Sequence, residues 1–496
     1  MQSAIPVNSL VIPKPVEFAL KRNGIEMDAI SIAISEIKPN KNSSELLNWR
    51  GNVGMNPAST IKLLTTIIAL DILGPSYRWR TDIYTDGNIQ NRVLKGNLYF
   101  VGHGDPKLIP EELLRLSKML RSAGIDKIEG NLLFDRSAYA ASVFDPSTID
   151  GESMRSYNVA PDPLLFAFRT LSFQLNPNRT GDGVDISYTP KLARFKINNA
   201  LSQTNTACEN WRNDLQVAFS GNQGNLPASN QKVVSWETSF TGTVPANCKG
   251  LGWNLVVSDS NAFLTLGFSA AWEAAGGSWV KPPLGKDENL PSFAKLLLQF
   301  EGTSLMEAVQ DINKFSNNVM ARQVFLTLAL EKFGKPADTA AAEKVVQNWL
   351  KQKGLEFPEL VIENGSGLSR SETISANHLN SLLILAKESS MNEAFTNSLP
   401  LAGSDGTMRH RLIAQLRQFL HLKKKPEARI KTGSLQNVRS VSGYVLSKSG
   451  KTYALTSMIN SPNASRGLEA HDQLINWLFN DGPYQSDAAP EPKAAR

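Results

Sequence analysis

One segment of this chain, NPASTIKLLTTIIALDILG at residues 56–74, limits the possible folds more than any other. Pro57 stands where a helix would begin and Gly74 where it would end. The apolar residues between them surround the helix axis instead of forming one stripe, which is typical of a helix buried on nearly all sides. Since no uninterrupted apolar run reaches the roughly 20 residues that cross a bilayer, we expect this helix inside a globular core.

The remaining patterns predict a discontinuous domain with a long insertion. Residues 29–37 alternate apolar and polar side chains like a half-buried strand, and residues 95–135 read as strand, helix and strand. From about Tyr157 to Trp279 short strand patterns predict a β-rich region. Helical periodicity returns near Leu305, and the chain then ends with a strand, a hairpin and a closing helix.

Charge, cysteine and histidine content argue against several classes of protein. The net charge of +6 is scattered and accompanies no nucleic-acid-binding motif, so no nucleic-acid partner is expected. The five histidines form no HExxH or similar cluster, so we expect neither a metal site nor a cofactor. The two cysteines, Cys208 and Cys248, allow either a disulfide or two free thiols.

The first motif of chemical interest is Ser59-Thr60-Ile61-Lys62 at the start of the buried helix. Residues three apart share a helix face, so the Lys62 amine can approach the Ser59 hydroxyl. A lysine in a dry site can lose its proton and act as a base that activates a serine. Ser35/Lys38 and Ser292/Lys295 have the same spacing, but only Ser59 opens a long apolar helix.

Two further motifs follow in order. Ser316-Asn317-Asn318 lies between two helical patterns, where a hydroxyl and an amide can relay a proton and hold a substrate carbonyl. Lys431-Thr432-Gly433 ends a strand before a hairpin, where lysine and threonine can bind a carboxylate and glycine allows close backbone approach. Each motif alone fits a cap or a turn better, but SxxK, SxN and KTG together are the signature of β-lactamases and penicillin-binding proteins.

The chain resembles one subgroup of these proteins, the class C low-molecular-mass penicillin-binding proteins (D-alanyl-D-alanine carboxypeptidase/endopeptidase, penicillin-binding protein 4 type). That family also has a large insertion between SxxK and SxN. The resemblance covers nearly the whole chain. The shared motifs are GHGDPKL (102–108), YNVAP (157–161), NGSGLSR (364–370), AGSDGTMRHR (402–411) and KTGSLQNVRSVSGY (431–444).

The resemblance implies a multidomain α/β fold. A transpeptidase/β-lactamase-like domain, an antiparallel sheet flanked by helices, would comprise residues 1–75 and 285–482. A nested β-rich domain (76–92 and 165–284) and a small α/β domain (93–164) would be inserted between SxxK and SxN. Residues 483–496, rich in proline and alanine, are expected to be a disordered tail.

The resemblance also implies roles for individual residues. Ser59 matches the acylated nucleophile, Lys62 its base, Ser316 the relay to the leaving amine and Asn318 a substrate ligand. Lys431 and Thr432 of the KTG motif, which ends with Gly433, match the pair that binds the substrate carboxylate, and the N–H groups of Ser59 and Ser434 match the oxyanion hole.

A side pocket for the diamino-acid side chain is implied as well. Arg370, Gln436 and Tyr157 fall at matching positions, and Glu152 stands where an Asp is usual. Two other departures, His103 for Gly and Asn364 for Asp, lie in supporting loops.

These implications predict a serine DD-peptidase without metal or cofactor. It would hydrolyse D-Ala-D-Ala termini, and also D-Ala–diamino-acid cross-links, of peptidoglycan stem peptides through an acyl-Ser59 intermediate, and β-lactams would be covalent inhibitors. A β-lactamase and a catalytically silent cell-wall scaffold are the alternatives. No signal peptide or transmembrane segment is visible, so the chain is either cytosolic or has lost its signal, and the substrate favours the periplasm. The sequence leaves open whether it forms a homodimer.

Overall fold

The computed structural model describes residues 12–38, 42–141, 149, 151, 155–181, 183–225 and 232–482. The strands are β1 (Ile30–Lys38), β2 (Asn42–Trp49), β3 (Gly54–Met55), β4 (Arg78–Thr85), β5 (Asn88–Gln90), β6 (Val93–Lys95), β7 (Leu98–Gly102), β8 (Lys127–Ile128), β9 (Leu132–Asp135), β10 (Thr170–Pro177), β11 (Val184–Thr189), β12 (Phe195–Thr204), β13 (Leu215–Asn225), β14 (Lys232–Pro245), β15 (Leu251–Val256), β16 (Ser278–Trp279), β17 (Gly285–Asp287), β18 (Lys295–Ser304), β19 (Ile374–Ser375), β20 (Glu427–Leu435), β21 (Val438–Leu446) and β22 (Thr452–Asn460). The helices are α1 (Lys14–Arg22), α2 (Lys62–Leu73), α3 (Pro110–Ser122), α4 (Ser260–Ala274), α5 (Leu305–Phe315), α6 (Asn318–Phe333), α7 (Thr339–Gln352), α8 (Ala376–Lys387), α9 (Asn392–Ser398), α10 (Ile413–Arg417) and α11 (Leu468–Phe479).

The helix predicted between Pro57 and Gly74 forms, but it begins differently from the prediction. Residues Ala58–Ile61 form a 3₁₀ turn, and the α-helix α2 starts only at Lys62. Ala58 has a φ of 46°, a left-handed conformation that interrupts regular helix at this point. Every α2 side chain from Lys62 to Leu70 is buried, as the apolar pattern predicted, and Gly74 ends the helix with a φ of 78°.

By its internal contacts the chain divides into two compact units. The first unit comprises residues 1–77, 305–328 and 339–496. Its antiparallel sheet has the strand order β2-β1-β22-β21-β20. On one face Ile30, Ile32 and Ile34 join the apolar cluster that contains the buried residues of α1 and α11. On the other face Ala33 packs with Ala376 of α8, and α8 in turn contacts α2. The helix α2 is therefore covered by helices of this unit.

The second unit comprises residues 78–304 and 329–338. Its largest sheet has the order β17-β9-β7-β4-β18, where β7, β9 and β17 are parallel and β4 and β18 are antiparallel to their neighbours. Helices α3 and α4 pack together, and three phenylalanines, Phe100, Phe134 and Phe268, make edge-to-face contacts in its core. Smaller sheets (β11-β10-β15 and β12-β14-β13) account for the predicted β-rich region.

The predicted boundaries of the three domains stay a prediction. For one segment, residues 285–304, strand pairing gives a different assignment from the predicted one. Residues 285–304 were expected with the catalytic segments, yet β17 pairs with β9 and β18 pairs with β4 inside the second unit. Sequence periodicity identifies a strand but does not identify its partner, so this assignment required the structure. The predicted tail at 483–496 lies outside the described residues.

Two further observations concern the compartment of the protein. Cys208 and Cys248 form a disulfide across 40 residues of sequence, so the paired alternative of the two considered is the one observed. No helix within the described ranges combines the length and the apolar content that a membrane span needs.

Candidate active site

The Ser59 hydroxyl lies in a turn that neighbouring segments hold in place. The carbonyl of Pro57 accepts hydrogen bonds from Thr60 Oγ1 at 2.7 Å and from Ser440 Oγ of β21 at 2.6 Å. These bonds support the left-handed backbone of Ala58, a conformation that costs of order 1–3 kcal/mol for a residue with a Cβ. Ser59 itself is partly buried, so its side chain is open to an approaching molecule.

Lys62 is buried completely and contacts three oxygen atoms. Its Nζ lies 2.9 Å from Ser59 Oγ and 2.6 Å from Asn318 Oδ1, and it also donates to the carbonyl of Ser366. Burial lowers the pKa of Lys62 well below its ordinary value, and the charge of Lys431 lowers it further. A neutral amine has two hydrogens and one lone pair. Asn318 Oδ1 and the Ser366 carbonyl take the two hydrogens, which leaves the lone pair for the Ser59 hydroxyl.

Ser316 and Lys431 form a second hydroxyl–amine pair in the same unit. Ser316 lies between α5 and α6, as predicted, with a φ of 58°. Lys431 Nζ donates to Ser316 Oγ at 2.8 Å and to the carbonyl of Thr432 at 2.7 Å. Burial lowers the pKa of Lys431 to about 7, so its charge responds to whatever binds beside it.

The KTG segment belongs to β20, an edge strand of the first unit's sheet. Ile430 N donates away from the sheet, to the carbonyl of Pro400. Because N–H directions alternate along a strand that pairs without a bulge, the N–H of Ser434 also points outward from the sheet edge. Thr432 Oγ1 donates to Thr407 Oγ1 at 2.9 Å, which adds a hydroxyl that sequence reasoning did not single out.

Gly433 lies where β20 meets the Ser59 turn. A Cβ added at Gly433 would lie 2.7 Å from the carbonyl oxygen of Pro57 and 3.0 Å from Ser59 N, both backbone atoms, and would also meet Ser440 Oγ. We therefore expect Gly433→Ala to displace the turn and to lower the rate of acylation by a labelled penicillin about 10²–10³-fold, as for the loss of one oxyanion donor. Gly252→Ala is the matched control, since its Cβ would meet only the flexible side chain of Gln174. A normal rate in the Gly433 variant would contradict this account.

The side-pocket residues are only partly brought together. Arg370 donates to Gln436 Oε1 at 3.3 Å in an exposed part of the first unit. Tyr157 is exposed and belongs to the second unit, together with His103, which lies 3.0 Å from Asp82. Glu152 lies outside the described residues.

Two residues of the 363–372 loop contact the site although no motif role had been assigned to them. Ser366 supplies the carbonyl that accepts from Lys62, and Glu372 is a fully buried carboxylate that interacts electrostatically with Lys62. Ser366 falls inside the quoted motif NGSGLSR, whereas Glu372 lies just beyond it and reads as an ordinary surface residue. Within the described ranges, no group of His, Cys, Asp or Glu side chains is arranged to hold a metal ion.

Known proteins are similar in sequence over most of the chain. A D-alanyl-D-alanine carboxypeptidase DacB of Haemophilus influenzae is 25% identical over 428 residues, which cover 86% of this chain and 84% of that protein. A D-alanyl-D-alanine carboxypeptidase of Actinomadura sp. is 25% identical over 457 residues, 90% of this chain and 80% of that protein.

A solved structure and a family comparison point to the same kind of protein as these sequence relatives. The crystal structure of penicillin binding protein 4 (dacB) of H. influenzae is 21% identical, covers 94% of this chain and 99% of that chain, and has a TM-score of 0.70, which confirms the predicted fold class. The pattern of the family described as D-Ala-D-Ala carboxypeptidase 3 (S13) matches residues 14–480. The chain therefore belongs to the D-Ala-D-Ala carboxypeptidase 3 (S13) family and is a serine-type D-Ala-D-Ala carboxypeptidase.

Proposed function

We propose that Ser59 is the residue acylated by substrate and that Lys62 is its base. The Ser59 oxygen attacks the carbonyl of the penultimate D-Ala, and Lys62 Nζ takes the hydroxyl proton. The peptide C–N bond then breaks, Ser316 relays the proton taken up by Lys62 to the leaving amine, and the acyl group stays on Ser59. Water attacks the ester in the second half-reaction, which releases the shortened peptide and restores the serine hydroxyl.

The observation that carries this proposal is the set of partners around Lys62 Nζ. Two acceptors occupy the two hydrogens of the neutral amine, so its lone pair is directed at Ser59 Oγ 2.9 Å away. Complete burial favours that neutral form because the charged form would lose its hydration. A general base needs hydrogen-bond reach to the proton and a form that can accept it.

The remaining residues suit the recognition of a peptide that ends in a carboxylate. Lys431 and Thr432 would bind the carboxylate, and a bound anion would raise the pKa of Lys431 from about 7, so that the lysine is charged in the complex. Asn318 would hold the substrate amide. The N–H groups of Ser59 and Ser434 would bind the oxyanion, and the outward direction of Ser434 N supports that role.

We also propose that Arg370 and Gln436 bind the side chain of the stem-peptide diamino acid. Their hydrogen bond places a guanidinium and an amide together on the exposed surface of the first unit. Tyr157 and Glu152 stay predicted members of this pocket. A pocket of this kind would admit cross-linked peptides as well as linear ones, which supports endopeptidase activity beside the carboxypeptidase activity.

The substrate determines the proposed partners and location. Peptidoglycan stem peptides lie outside the cytoplasmic membrane, so we propose a periplasmic protein, and the Cys208–Cys248 disulfide fits an oxidising compartment. β-Lactams would acylate Ser59, in keeping with the structure of the H. influenzae relative complexed with a β-lactam. The homodimer stays an open prediction that sedimentation velocity would decide.

Incubation with a labelled penicillin, followed by peptide mass spectrometry, tests the proposal. We expect one label per chain, on the peptide that contains Ser59, with slow release. Absence of label on the folded protein would favour the silent-scaffold alternative. Rapid turnover of the penicillin would favour the β-lactamase alternative, and a label on another serine would show that Ser59 is not the nucleophile.

A further inference from the structure

The carboxylate of Glu372 lies fully buried behind the loop that contacts Lys62. Its Oε1 accepts the backbone N–H groups of Glu363 at 3.1 Å and of Asn364 at 3.0 Å. Its Oε2 is buried and has no hydrogen-bond partner among the described residues. A buried carboxylate with hydrogen bonds to only one of its two oxygens lowers the stability of the folded protein. Its presence therefore requires an explanation.

The backbone that Glu372 holds leads directly to the reacting groups. Asn364 Oδ1 accepts from Ser366 N at 3.0 Å, and the Ser366 carbonyl accepts from Lys62. The next residue, Gly367, lies so close to the nucleophile turn that a Cβ there would be 2.8 Å from Ser59 N. A displacement of the loop at Glu372 would therefore reach both Lys62 and Ser59.

The charges around Lys62 also depend on Glu372. Burial is the main cause that lowers the pKa of Lys62, and the neighbouring cations Lys431 and Arg322 lower it further. Glu372 is the negative group that raises the pKa of Lys62, and it raises that of Arg322 too. Burial raises the pKa of Glu372 itself, the backbone N–H groups of Asn364 and Glu363 and the charge of Lys62 lower it, and the carboxylate of Glu363 raises it again.

We infer that Glu372 is a positioning residue for acylation: it fixes the 363–367 loop against Lys62 and Ser59 and places a carboxylate near Lys62 and Arg322. It contacts neither substrate nor the reacting atoms and acts through Lys62. This inference rests on the proposed role of Lys62 as the base.

Glu372→Gln tests the electrostatic part because glutamine keeps the shape and can still accept both backbone N–H groups through Oε1. The negative charge is lost, so the pKa of Lys62 falls. We expect the midpoint of the pH profile for acylation by a labelled penicillin to move about one pH unit lower. The plateau rate falls about two- to fivefold, because a base of lower pKa accepts the Ser59 proton less readily.

Glu359→Gln is the matched control. Glu359 also accepts a backbone N–H, from Ser375 at 2.8 Å, and it pairs with His378 at 2.6 Å, but it is not among the charges that act on Lys62. We expect its pH profile to equal that of the wild type. An unshifted profile in folded Glu372→Gln would overturn the inference while leaving the proposed function intact, whereas a wild-type protein that is not acylated at Ser59 would refute the proposed function itself.

Glu372→Asp separates the effect of the negative charge from the effect of side-chain length. It also provides a test if the glutamine variant does not fold. Aspartate keeps the negative charge but shortens the arm that holds Glu363 N and Asn364 N. We expect the pH midpoint to stay within a few tenths of a unit of the wild type and the acylation rate to fall about tenfold or more, since misplaced groups lose orientation. A wild-type rate, or a midpoint shifted like that of glutamine, would contradict the inference.

Discussion

Ser59→Ala is expected to lower the rate of D-Ala release from a D-Ala-D-Ala peptide by roughly 10⁶-fold and to abolish labelling by penicillin. The reason is that alanine leaves no atom to carry the acyl group, and Lys62 Nζ, 2.9 Å from the lost hydroxyl, has no proton to accept. The measurement is the single-turnover rate at equal concentrations of folded wild type and variant. Small structural effects are expected, because Ser59 is only partly buried.

Ser292→Ala provides the matched control for this loss. Ser292 has the same three-residue spacing to a lysine, Lys295, but it is exposed and belongs to the second unit. The control should keep the wild-type rate and full labelling. If Ser59→Ala retained more than about a thousandth of the wild-type rate, an acyl-Ser59 intermediate could not be the main route.

Lys62→Met is expected to slow acylation about 10⁴-fold, the upper range for removal of a general base. Methionine fits a buried position of similar length but cannot accept the Ser59 proton. Two effects on stability oppose each other. Asn318 Oδ1 and the Ser366 carbonyl lose their donor, whereas a completely buried amine is removed. The melting temperature should therefore change little, and calorimetry beside stopped-flow acylation would check both statements.

Lys62→Arg tests whether a positive charge at residue 62 is sufficient for acylation or whether a base is needed there. Arginine places a permanent positive charge next to Ser59 and does not give up its proton at any working pH. We expect this variant to be as slow as Lys62→Met. Retention of acylation within tenfold of the wild type would mean that charge at residue 62 is sufficient, and the role of Lys62 as base would be wrong.

Much of the first unit could be predicted because its patterns are local. The alternation at residues 29–37 predicted β1, and the apolar periodicities predicted α5 and α11. The position of Ser316 between two helices also followed from periodicity alone. The contacts among the motifs, by contrast, were an expectation from family resemblance, and the structure supplies the distances on which their proposed roles now depend.

The features that could not be predicted depend on contacts distant in sequence. The burial of Glu372 arises from the 363–364 backbone folding over its side chain, and nothing in the letters SRSET distinguishes it from a surface glutamate. The left-handed Ala58, which delays α2 until Lys62, lies in a turn that Ser440 and Gly367, both distant in sequence, approach closely. The pairing of β18 with β4 likewise required knowledge of a partner about 200 residues away.

The order of strands in the first unit's sheet has a consequence for biosynthesis. β1 pairs with β22, from Ile30 opposite Ile459 to Ile37 opposite Thr452. The first strand to be translated therefore cannot form this pairing until the last strand has been translated. At about 5–20 residues per second, translation of the intervening chain takes roughly 20–90 s. During that interval α2, apolar on every side, emerges before α5, α8 and α9, the helices that contact it. Such late closure makes folding slow and leaves the nascent chain dependent on chaperones. A product truncated before β22 lacks the strand that pairs with both β1 and β21, so we expect hydrolytic activity only in chains that extend through β22.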